Sequence, residues 1–501
     1  MACVAWCLDG RLDDRLGQRL LDGGHHGGEL RVGRGVLQQP GQPIADPEQG
    51  VGVEHGDGVA VAVTWERAGA ELARVLEELA AAPEPADLTA LHDAEGALDD
   101  AESAFVTRAP TLFAQRSRLP DPIALPDVQD LLGQRPGTLL IQYHVAGPHE
   151  LLIFTVTADG AQVRTVAADT RLLGVNVRLF HRTVVDITST PAQRVKLGTA
   201  LADTLLAPVA DEVTAHDRLV IVPHGPLAVL PFHVLPWAGD ELGAGRVVSY
   251  LPAVAAVLRQ RPAAVAGGAA LIVGDPAYSP LGPRRLPGTG VEAHAIAALY
   301  GVDPLVGAAA RRETVLGSLA AAPVVHLGTH GFLAEAAPYS SHLALAGTDR
   351  LTVPDLVGVH SRTELAVLSA CDSGRGRATA AGDVIGLTRA LLGAGVRGVV
   401  ASLWPVNDIF ACLIMIEFHR RLLAGDGPPA ALAGASAALR ALTPQAARAR
   451  FAEHAVAHGL DHDGVPDVRT NRGIGGELPI TPGTDPAHPN AYAPFFYAGA
   501  W

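Results

Sequence analysis

Five short β-branched runs constrain the fold of this chain more than any other feature: LVIVP (219–223), ALIVG (270–274), PVVHLGT (323–329), ELAVLS (364–369) and GVVASLW (398–404). Each is apolar along its whole length rather than at alternate positions, so both faces of each strand must be covered. Stretches with helical spacing separate them. The pattern predicts an α/β domain of three layers, a mostly parallel sheet between two layers of helices. Between the last two runs, Gly382-Asp383 opens a predicted helix with Val384, Leu387 and Leu391 on one face, and Gly393 and Gly395 end it, so residues 364–404 read as a βαβ unit. Thr289 is predicted to cap another helix whose apolar face carries Val291, Ile296 and Leu299.

Upstream, TLLIQYHV (138–145) and ELLIFTVT (150–157) meet across Gly147-Pro148 as a hairpin, and AQVRTVA adds a third strand after Asp159-Gly160. A small antiparallel β layer followed by a helix near 191–214 is therefore expected ahead of the parallel domain. Residues 61–125 are Ala, Leu and Glu rich, with Leu72, Val75, Leu76 and Leu79 at helical spacing and a break near Pro83 to Pro85, and no second copy stands at a period of 34. Residues 1–60 hold no sustained period and read as disordered or as a misassigned start. The domain reading is thus 1–60, 61–125 helical, 126–216 β-rich lead-in with helix, and 217–501 as the main domain.

Composition excludes several functions. The formal charge of −14 argues against the cationic surface that nucleic acid requires. Cys3, Cys7, Cys371 and Cys412 are too few and scattered for a disulfide framework, and although Cys3/Cys7 with His25-His26 could be metal ligands, no second pair stands at zinc-site spacing, so a reducing cytoplasmic setting without metal or cofactor is expected. The apolar stretch 398–418 is broken by Pro405, Asn407 and Asp408 and reads as strand, turn and helix rather than a membrane span. No P-loop, dinucleotide fingerprint or G-x-S-x-G elbow is present.

Reactive groups in parallel sheets gather beyond the carboxyl ends of the strands. One run leads through Val324-Val325-His326-Leu327-Gly328-Thr329 to His330-Gly331, and another through Leu365 to Ala370-Cys371-Asp372-Ser373-Gly374. If these strands are neighbours in register, an imidazole and a thiol share one edge. A cysteine attacks as thiolate, so it needs a base close by, and His330 is the candidate for Cys371. The backbone N–H groups of Gly331 and Cys371 are the candidate oxyanion donors. Asp372 and Ser373, beside the thiol, are candidates for a substrate pocket, with Asp355 and Asp383 as further loop acids. By contrast, mid-strand His326 reads as a hydrogen-bonded core residue, and Cys412, within IFACLIMI, as a small buried hydrophobe. Trp404 and Tyr492 read as core.

The stretches LVIVPHGPLAVLPFHVL, HLGTHGFL, LAVLSACDSGRG, GDVIGLTRALLGAGVRGVVASLWPVND and HPNAYAPFFYAGAW together resemble the CHAT domain, a relative of caspases and separases. The likeness covers about residues 217–501. It implies a caspase-like α/β/α fold and a cysteine endopeptidase acting on a protein substrate, with His330 as base and Cys371 as nucleophile. Glu292 and Asp275 match acidic positions of that family. Caspases carry glutamine two residues before the cysteine and glycine two after it, whereas Ser369 and Ser373 stand here, so no aspartate preference is transferred. The family implies a protein substrate and admits an activating protein partner. The alternative is a scaffold or sensor domain whose dyad is idle.

Overall fold

The structure is a computed structural model and describes residues 123–254, 269–280, 282–332, 341–356, 359, 361–370, 377–378, 384–460 and 485–499, with scattered helical positions between 64 and 104. The region read as disordered, 1–60, lies outside the described residues. The scattered helical positions belong to one compact unit, and the described residues from Leu125 onward belong to the other.

In chain order the larger unit runs α1 (Leu125–Gly133), β1 (Thr138–Gly147), β2 (Glu150–Val156), β3 (Ala161–Ala167), α2 (Thr170–Val185), α3 (Pro191–Leu205), β4 (Arg218–Val222) and β5 (Val247–Tyr250). It continues with β6 (Leu271–Pro276), α4 (Pro287–Tyr300), β7 (Leu305–Gly307), α5 (Arg312–Leu319), β8 (Val324–Gly328) and β9 (Leu365–Ser369). The last elements are α6 (Leu387–Gly393), β10 (Gly398–Ser402), α7 (Asp408–Leu423), α8 (Pro428–Arg440), α9 (Pro444–Ala457) and β11 (Phe495–Gly499). One sheet takes all eleven strands in the order β3-β2-β1-β4-β5-β11-β10-β9-β8-β6-β7.

All five predicted apolar runs are strands of this sheet, and β6, β8, β9 and β10 pair in parallel as their two-sided burial requires. The expected antiparallel layer is present as β1, β2 and β3. It does not stand alone, because β1 also pairs with β4 in parallel, which makes the hairpin the outer edge of the same sheet. At the centre, β11 runs antiparallel to β10, so the last strand of the chain joins the two halves.

Three local expectations need correction. The helix after β9 begins at Leu387, and Val384–Ile385 is instead extended and pairs with Arg377–Ala378. The turn Gly382-Asp383 lies outside the described residues. The helix assigned to a Thr289 cap starts two residues earlier, at Pro287, whose missing N–H costs nothing at a first helical position. Leu299, expected on its apolar face, is exposed, while Val291 and Ile296 are buried. At 398–423 the strand, turn and helix occur as read: Asn407 Oδ1 accepts from the Ile409 and Phe410 N–H groups and starts α7.

Packing brings α4 close to the sheet. A side chain at Gly274 would collide with the Thr289 carbonyl oxygen, so glycine is what lets the first turn of α4 rest on β6.

Candidate active site

β8 and β9 lie side by side in parallel register from Val324 opposite Leu365 to Gly328 opposite Ser369. The Thr329 N–H donates to the Ser369 carbonyl at 3.3 Å, which carries the ladder one step past the strand ends. His330 follows at the carboxyl end of β8 and is 5% exposed. Cys371, Asp372 and Ser373 lie outside the described residues.

The His330 ring is held from two sides. Its Nε2 is 2.7 Å from the Arg284 carbonyl oxygen, and only a protonated nitrogen can bond there, which leaves Nδ1 as the acceptor nitrogen of a neutral ring. Tyr278 stacks at a tilt with ring centroids 5.4 Å apart. Tyr278 O–H donates to Thr329 Oγ1 at 2.9 Å, since the Thr329 hydroxyl proton is given to the Ala344 carbonyl oxygen. Neighbouring Gly331–Phe332 pairs antiparallel with His342–Ala344. The bond from the Ala344 N–H to the His330 carbonyl, 2.9 Å, flanks a Gly331/Leu343 pair of the non-hydrogen-bonded kind, so the Gly331 N–H takes no part in this ladder.

The residues that follow Arg284 are in turn fixed by Asp275, at the end of β6. This residue is buried and sits at φ +41°, a left-handed conformation that non-glycine residues rarely adopt. Its backbone N–H donates to Thr289 Oγ1 at 2.8 Å, and its carboxylate accepts from the Leu286 N–H at 3.2 Å and from the Arg285 guanidinium. That carboxylate raises the Arg285 pKa further. The segment 284–289 is thereby tied to the strand end beside His330.

Below the edge, a string of polar side chains crosses the core. Glu292 Oε1 is 2.7 Å from His326 Nε2, His326 Nδ1 is 3.1 Å from His419 Nε2, and His419 Nδ1 is 3.0 Å from Tyr300 Oη. Glu292, His326 and His419 are fully buried. Burial and the nearby His326 hold the His419 pKa well below its ordinary value, and burial pushes Tyr300 up to about 12. His419 is then a neutral ring with one N–H and the phenol is protonated; where Tyr300 O–H donates to His419 Nδ1, His419 Nε2–H is the donor toward His326 Nδ1, and His326 Nε2 faces Glu292 Oε1. Glu292 Oε2 is buried without a hydrogen bond among the described residues.

Sequence reasoning placed His326 in the core correctly, but His419 and Tyr300 gave no signal, being single polar residues on helices. The Arg284 carbonyl was equally invisible, because a backbone acceptor carries no side-chain signature. Asp355 is not a pocket acid: it is held by Arg312 and by the Thr352 N–H at 2.7 Å, with its side chain 3% exposed. Trp404 and Tyr492 are buried, Trp404 Nε1–H donating to the Asn490 carbonyl and Tyr492 O–H to Glu241. Cys412 is buried on α7.

With a central parallel sheet and a histidine oriented at a strand exit, the class of molecule is clear from comparison: residues 195–500 match the CHAT domain, and the chain belongs to that family. Among curated proteins it is similar to tetratricopeptide repeat protein 28 of Mus musculus, 28% identical over 286 residues, and to that of Homo sapiens, 27% over 293. These alignments cover 45% and 46% of this chain and 12% of each relative, so the chain spans about an eighth of their length. Among solved structures it is similar to the Saccharomyces cerevisiae separase–securin complex, at 10% identity and TM-score 0.39 over 69% of this chain and 33% of that one. It is also similar to the Arg-specific cysteine proteinase gingipain R, at 9% identity and TM-score 0.34 over 66% of this chain and 75% of that one. Among the described residues no helix is long and apolar enough to cross a membrane.

Proposed function

We propose that this chain is a cysteine endopeptidase that cleaves a protein substrate through Cys371 and His330. The supporting observation is register. β8 and β9 pair at a constant offset of 41 residues, and His330 and Cys371 stand the same 41 residues apart in sequence, two positions past the paired strand ends.

His330 Nδ1 accepts the thiol proton while Nε2–H stays on the Arg284 carbonyl, and the Cys371 Sγ thiolate attacks the scissile carbonyl carbon. The carbonyl oxygen takes the displaced electron pair and is met by the N–H groups of Gly331 and Cys371; losing one such donor costs ~100-fold to 1000-fold in rate. Collapse breaks the C–N bond, and the amine leaves with the proton from His330. Water, deprotonated by His330, then hydrolyses the thioacyl-enzyme and releases the second product and the free thiol. Asp372 and Ser373 are proposed to face the substrate residue next to the scissile bond.

A peptide-library cleavage assay compares wild type with Cys371→Ala and His330→Ala, alongside labelling by an iodoacetamide probe. Each single variant is expected to lose activity by orders of magnitude and the double variant little more, since the two act as one unit. Cleavage and labelling that persist unchanged in Cys371→Ala would refute the assignment and return the domain to an interaction module.

A further inference from the structure

Helix α2 buries Leu173, Val177, Phe180 and Val184 against the body of the domain and begins at Asp169, whose side chain accepts from the Leu172 N–H. It is held at the far end too: His181 Nε2 bonds to the Leu403 carbonyl at 3.1 Å, and Asn490 Nδ2 to that of Val185 at 2.9 Å. The opposite face is therefore presented on a rigid rod. On it stand Leu172, Val175 and Leu179, which are 55%, 37% and 43% exposed. Their spacing of three and then four residues is that of a heptad seam, the stripe by which one helix receives another. Along one flank of the seam run Arg171, Arg178 and Arg182, all exposed, and among the described residues none makes an ion pair. α2 contains no acidic residue of its own.

We propose that the outer face of α2 docks an amphipathic helix of a separate protein, one with an apolar seam flanked by glutamate or aspartate. Charge complementarity selects that occupant. A second copy of this chain would set arginine against arginine across the seam. A lipid surface would call for a broad apolar face with aromatic anchors, whereas this seam is one residue wide and has none. Arginines at flanking positions choose the partner and its orientation, while Leu172, Val175 and Leu179 supply the buried area.

The full chain is titrated by fluorescence anisotropy with a labelled helical peptide carrying leucine at its seam and glutamate along the flanks, and with the same peptide carrying lysine in place of glutamate. Saturable binding of the acidic peptide alone is expected. Leu172→Glu with Leu179→Glu should weaken it about tenfold or more. Arg171→Glu, Arg178→Glu and Arg182→Glu together should abolish acidic binding and create binding to the lysine peptide, an exchange that loss of folding could not produce. All five positions are exposed, and an unchanged urea midpoint checks the fold. The proposal is overturned if the acidic peptide fails to saturate, or if binding is indifferent to these variants. It is also overturned if the variants abolish instead a concentration-dependent self-association, or attachment to phosphatidylserine vesicles, while the peptide stays unbound.

Discussion

At the edge formed by β3, β2 and β1, the interior is built mainly from Leu139, Ile141, Tyr143, Leu151 and Ile153, and its stability follows from apolar area and fit. Across the sheet, the apolar layer by which α4 and α7 cover β6 and β8 is crossed by a polar string in which every member depends on the next. The contrast teaches where this molecule tolerates change. An apolar contact degrades by degrees as methyl groups are lost, but a buried carboxylate that loses its donor has neither water nor partner.

The largest effect should come from breaking the string. His326→Leu leaves Glu292 without its donor and is expected to cost about 3–5 kcal/mol in urea unfolding. The double variant Glu292→Leu/His326→Leu should cost less than the single one, a non-additivity that would be missing if His326 contributed only packing.

Acid sharpens the comparison from the other side. His144, on β1, has its pKa lowered to about 4, first by burial and then by the neighbouring His224, whose ring centroid is 4.7 Å away. In the unfolded chain a histidine titrates near 6.5, so between roughly 6.5 and 4 the unfolded state binds the extra proton. This contribution to stability is present in full above that window, is lost as pH falls through it, and is flat below. His144→Phe should therefore flatten the decline of the urea midpoint between those limits. An unaltered slope would assign the decline to other histidines such as His419, lowered in the same direction on the polar side.

A graded response is expected within the apolar edge, where Ile153→Val should cost about 0.5–1.5 kcal/mol. A cost as large as that of His326→Leu would erase the contrast. The smallest effect belongs to Arg164, whose half-buried contact with Glu212 at 3.3 Å ties β3 to the following helices. Arg164→Ala should change stability by no more than about 1 kcal/mol and less in high salt.

Long apolar runs made β4, β6, β8, β9 and β10 legible in the sequence, because a strand covered on both faces has no polar alternation to confuse it. β5 and β7, as VVSY and LVG, are too short to carry a period, and α2 was missed. Its pattern mixes a buried stripe with the exposed seam of Leu172, Val175 and Leu179, so the apolar residues do not mark one face. At the candidate site, His330 and Gly331 were legible from their place after a strand. What orients His330 was not, since it comes from the Arg284 carbonyl and the bent backbone of Asp275, far apart in sequence from the imidazole.

The sequence by itself determined the parallel strands, the histidine and thiol that follow two of them, and the apolar faces that force helices onto both sides. Those are local consequences of hydrophobic pattern and residue chemistry. Only the tertiary structure decided that β8 and β9 are neighbours at an offset of 41 residues, that the antiparallel edge continues the same sheet, and that Glu292, His326, His419 and Tyr300 meet in one line. Strand order, register and the meeting of lone polar side chains depend on contacts between distant segments, and no periodicity within one segment encodes them.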